Sequence, residues 1–136
     1  MFESWPLTAK AIGGIVVFAS TFVEKKRARV ADYLLAIAEN LDALANAAEQ
    51  GRKFGSHCIK LRTASRKLHE ICQGVTVTED LKELAEQLNF AATSPGALRQ
   101  RDYLAAMSGS EKERTIEAFR EAAALFEAHA LALRAR

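Results

Sequence analysis

The sequence predicts an all-α protein, and three observations carry that expectation. Ala, Leu, Glu, Lys and Arg dominate a composition that favours helix. Two prolines and seven glycines in 136 residues are too few for a turn-rich all-β chain. Apolar residues also recur at alternating spacings of three and four over separate segments, as in helices packed near-parallel in a bundle. The length suits one domain with one core, and a chain 49% hydrophobic and 26% charged is no disordered polymer. A net charge of +2 does not by itself mark a nucleic-acid binder.

The first element is the most apolar. Residues 7–23 carry a single charge, Lys10, and residues 11–23 carry none. Trp5 to Val23 would make about 28 Å of helix, close to a hydrocarbon thickness of about 30 Å. Trp5 suits the headgroup belt, and Lys10 lies near enough to that end to snorkel. Glu24-Lys25-Lys26-Arg27-Ala28-Arg29 follows at once, four cations against one acid, so this end should stay cytoplasmic. The preferred reading is a single membrane span that includes Ile12, Gly13, Gly14, Ile15, Val16, Val17, Phe18 and Phe22. A buried core helix and a helix lying in the membrane interface are the alternatives. The cations follow the apolar run, and no cleavage site closes it, which argues against a signal peptide.

The second element is a long helix. No Gly or Pro occurs between Ile15 and Gln50. Val30, Leu34, Ile37, Leu41, Leu44 and Ala48 form one apolar stripe, so span and bundle helix are expected to run on as one rod. Breaks at Gly51 and Gly55 then precede a stripe of Cys58, Leu61, Ser65 (or Ala64), Leu68 and Cys72. A third stripe is Leu81, Leu84 and Leu88, with Thr78 ahead of Glu79 and Asp80 as a helix start. Ser94-Pro95 opens a short helix toward Met107. Ser110-Glu111-Lys112-Glu113 is a capping box for a last helix with the stripe Ile116, Phe119, Ala123, Phe126, Ala130 and Leu133. The expected organisation is a membrane segment over residues 1–23 and a four- to five-helix cytosolic bundle over residues 24–136.

Chemistry-bearing patterns are sparse. Cys58 and Cys72 have no metal-ligand or redox spacing and read as free thiols. There is no phosphate loop, metal-protease motif or nucleophile elbow, so no metal, cofactor or catalytic residue is expected. Between Arg52 and His69 the chain carries Arg52, Lys53, Lys60, Arg62, Arg66 and Lys67 and no acid. Arg52, His57, Lys60, Arg62, Arg66 and Lys67 are therefore candidate phosphate ligands, toward RNA, a nucleotide or anionic lipid headgroups. The competing reading is a solvated face whose cations pair with the acidic segment that follows. His129, beside the last stripe, reads as a packing or surface histidine.

Two arrangements resemble known proteins. Arg52 with His57 and Arg62 with His69 are similar to the Arg-x4–6-His motif of HEPN ribonucleases, small helical bundles that cut RNA without metal. That resemblance implies a proton-moving histidine and a phosphate-stabilising arginine. Lys53 and Thr63, directly after each arginine, depart from the Asn, Asp or His usual there. Lys25-Lys26-Arg27-Ala28-Arg29-Val30-Ala31-Asp32-Tyr33-Leu34, and Ala122-Ala123-Ala124-Leu125-Phe126 near the end, resemble uncharacterised small helical proteins of cyanobacteria and related bacteria. One short span ahead of a helical, HEPN-like domain is similar in layout to membrane accessory effectors of bacterial antiviral systems. The layout implies an inner-membrane homo-oligomer that acts at or permeabilises the bilayer, and no enzyme. The two alternatives are a HEPN-like ribonuclease and a soluble helical adaptor that buries a protein partner.

Overall fold

The structure, a computed structural model, describes residues 13–50, 55–72, 79, 82, 86 and 109–135. Its continuous elements are four helices: α1 (Gly13–Ala19), α2 (Glu24–Gln50), α3 (Gly55–Ile71) and α4 (Gly109–Arg134). No strand occurs among the described residues, so the chain is an all-α helical bundle there. Residues 79, 82 and 86 are helical. The Leu81 stripe, the Thr78 start and the Ser94-Pro95 helix otherwise lie outside the described residues, as do Ile12 and Arg52.

α2 is the central element because its apolar stripe is widened by alanines. Val30, Ala31, Leu34, Ile37, Leu41, Leu44 and Ala45 are all buried, so the helix can cover a neighbour on each flank. α4 takes the larger flank and α3 the other. Arg134 bonds Asp32 near one end of α2, and Arg120 bonds Asn46 (3.1 Å) and Glu49 near the other, so α2 and α4 run antiparallel. α3 runs back along α2, since Lys26 at the start of α2 lies close enough to Cys72 at the end of α3 to act on its thiol. α4 opens at Gly109, which places Ser110 inside the first turn instead of at the cap.

The expected single rod is corrected. α1 ends at Ala19, and the chain turns before α2 begins at Glu24. Two adjacent hydroxyls supply the physical reason: Ser20 Oγ donates to the Val17 carbonyl (2.6 Å) and Thr21 Oγ1 to the Phe18 carbonyl (2.8 Å). They satisfy carbonyls that a continuing helix would have bonded through its own amides. The last turn tightens to an i→i+3 bond, Phe22 N to Ala19 O at 3.0 Å. The Arg27 guanidinium then holds the Phe22 carbonyl at 3.1 Å.

The described part of α1, Gly13–Ala19, gives about 10 Å of helix. Among the described residues no helix is long and apolar enough to cross a membrane. Ile15, Val16 and Ala19 are buried in the chain's own core, packed on α4 and more lightly on α2.

Candidate functional site

α1 is apolar on both faces, and the fold uses only one. With Ile15, Val16 and Ala19 turned inward, helical periodicity turns Gly14, Val17 and Phe18 outward. Val17 is 67% exposed and Phe18 39%. Val23, at the entry to α2, is 73% exposed. These are three of the five exposed large hydrophobic residues among the described ones; Ile59 and Leu131 are the others. The Phe18 and Phe22 rings meet edge to face at 5.2 Å. Lys26 Nζ lies 4.2 Å above the Phe22 ring, which joins the apolar tip to the cations of the first α2 turns. Lys25, Lys26 and Arg29 are exposed.

The residues expected within the membrane span thus divide. Ile15 and Val16 pack inside; Val17 and Phe18 point out; Phe22 is half-buried beneath Lys26. Gly14 has open space beside it, and a β-carbon on Gly13 would stand 3.7 Å from His129 Cε1. Sequence reasoning left Val23 and the cations beyond it out of the site. The available signal was that Val23 directly adjoins the basic run.

The basic segment is less concentrated than its composition implies. On α3, Lys60 and Lys67 lie to one side of the buried stripe and Arg62 and Arg66 to the other. Arg66 faces Glu86 at 3.7 Å, and Lys67 faces Glu70 at 3.9 Å. Both pairs are well exposed and contribute little to stability. Arg62 and His69 share a flank of α3 two turns apart, both half-buried, and His57 is half-buried near the helix start. The Arg52–His57 pairing has one member outside the described residues.

Cys58 and Cys72 are buried and unbridged. Burial pushes the Cys58 thiol up to about 12. Burial likewise raises Cys72 to about 11, with Lys26 pulling in the opposite direction. The same influence places the end of α3 beside the start of α2. Thiols held this firmly protonated are poor nucleophiles. Alkylation of the native protein at neutral pH is expected to be at least ~100-fold slower than in denaturant; rapid native labelling would contradict the burial. Both thiols hold their protons more tightly folded than unfolded. Stability is therefore expected to fall as the pH rises above the ordinary thiol value of 9.0. Chemical denaturation at stepped alkaline pH measures this.

No family model, curated protein or solved structure matches this chain. Function therefore rests on the site itself. No group of three or more His, Cys, Asp or Glu placed to hold a metal ion occurs among the described residues. The arrangement that stands out is the apolar tip beside its cationic collar.

Proposed function

We propose that the protein is a helical-bundle module that docks on anionic membrane surfaces through the outward face of α1. One observation carries this reading: Val17, Phe18 and Val23 present apolar surface to solvent directly beside Lys25, Lys26 and Arg29. An apolar wedge with adjoining cations matches the two terms of interfacial binding, apolar burial below the headgroups and attraction to anionic lipid. The burial of Ile15, Val16 and Ala19 against α4 favours docking on the bilayer over crossing it. An accessory role in antiviral defence at the inner membrane, and assembly into oligomers there, rest on the resemblance in layout alone, with a docked α1 taking the place of the span.

Cosedimentation with vesicles tests the reading. The full chain is expected to pellet with phosphatidylglycerol-containing vesicles, weakly with phosphatidylcholine alone, and less as salt rises. Phe18→Ser is expected to weaken binding roughly tenfold, since a half-exposed aromatic ring yields only part of a full burial energy. Failure to bind anionic vesicles would overturn the reading. If Phe18→Ser instead abolished lipid-free dimers, the patch would belong to a second copy.

A further inference from the structure

α4 changes character along its outward face. Opposite its buried stripe, the first half presents Ser110, Arg114, Glu117 and Glu121, all exposed, as a solvated helix does. Further along, the same face reads Ala124, Ala128, Leu131, Ala132 and Ala135, again all exposed. Leu131 is 55% exposed. What distinguishes this apolar stretch is where it lies.

Two sets of contacts place it beside α1. Arg120 and Arg134, which bond α2, stand on one flank of the stretch. His129 stands on the other, with its Cε1 3.7 Å from where a Gly13 β-carbon would be. Asp32 pairs with Arg134, so the first two turns of α2 extend past the end of α4. Residues 20–23 join α1 to that start. α1 therefore runs from the level of His129 toward the end of α4, side by side with its last turns and in the same direction. The outward Val17 and Phe18 of α1 and the outward residues of α4 form one two-helix face, with Lys25, Lys26 and Arg29 at its end.

We infer that this two-helix face is the bilayer-contacting surface, with Leu131 of α4 entering the apolar layer beside Phe18. The inference rests on the docking reading above and extends it to a second helix. Alanines offer a shallow surface with few shapes for a protein partner to grip, whereas a fluid apolar phase needs no matching shape. The charges fit the same partner. Cations border the face where it meets headgroups, while Glu117 and Glu121 continue it toward the start of α4 and are repelled by anionic lipid. Contact therefore stops at Ala124, and the bundle tilts with the end of α4 lowermost. From Ala124 to Ala135 the face spans about 16 Å of helix. α3, packed on the other flank of α2, stays clear of the membrane.

Cosedimentation and site-specific labelling of the full chain test this. With phosphatidylglycerol-containing vesicles, Leu131→Ser is expected to weaken binding about fivefold, because a half-exposed leucine yields only part of its burial energy. Ala128→Asp should weaken it about fivefold through repulsion by the headgroups, and Glu121→Gln should tighten it. All three positions are exposed, so thermal unfolding should stay unchanged. An environment-sensitive fluorophore on Leu131→Cys should shift to the blue on vesicles and be quenched by nitroxide-bearing lipid. The same label on Thr63→Cys, an exposed site on α3, should stay in water. Cys58 and Cys72 are buried and leave the added thiol as the one that labels in the native protein. Undiminished binding of Leu131→Ser and Ala128→Asp, in a protein that still responds to Phe18→Ser, would overturn the two-helix face and leave docking through α1 intact. A label at position 131 that stays aqueous in the bound protein would do the same. If Leu131→Ser broke a lipid-free dimer and left vesicle binding unchanged, the α4 face would belong to a second copy, which also overturns it. A wild-type chain that binds no anionic vesicle defeats both readings.

Discussion

Phe126→Ala is expected to lower the unfolding free energy by about 3–5 kcal/mol, the range for removing an aromatic ring from a packed core. Phe126 heads the largest fully buried side chains and shares one buried cluster with Leu34, Ile37 and Leu41 of α2. Those aliphatic side chains relax only partly into the space a lost ring leaves, so a cavity would remain. Against a typical domain stability of about 5–15 kcal/mol, this loss could unfold the chain at modest temperature. Urea denaturation measures it. A change below about 1 kcal/mol would mean that α2 and α4 are not packed through this ring.

The second large effect concerns the cationic collar. Replacing Lys25, Lys26 and Arg29 together with Gln is expected to weaken binding to anionic vesicles by roughly 100-fold at low salt. The size follows from about 1 kcal/mol per cation near an anionic surface, so about 3 kcal/mol in all. The control is Lys60→Gln, which alters an exposed cation on α3, away from the start of α2. Binding that survives the triple change, or falls equally with the control, would remove the collar from the docking site.

The three long helices were legible in the sequence for a simple reason. Each buries a stripe whose residues are spaced by helical geometry alone, and every stripe residue named for α2, α3 and α4 is buried. Ser65 shows the limit of such reasoning. It sits at the right register to be buried, and its hydroxyl has no hydrogen-bond partner among the described residues, which spacing cannot foretell. The turn after α1 was harder to see because no Gly or Pro marks it. It depends on Ser20 and Thr21 bonding backward to carbonyls, a choice that hydropathy does not record. The same blindness made the opening segment look uniformly suited to lipid. Which side of α1 is covered depends on α4, far along the chain. The contact between Gly13 and His129, and the bond from Arg120 to Glu49, are equally long-range.

The paired arginines on α4 have a mechanical consequence. Arg120 and Arg134 grip α2 at points separated by most of its length. Sliding one helix past the other by a single turn, about 5.4 Å, would dislodge both guanidinium groups at once. Each grip is individually weak, yet the two act like pins through a splice: shear along the long axis must break them simultaneously. The two contacts therefore favour one register of α4 on α2 over the neighbours a turn away.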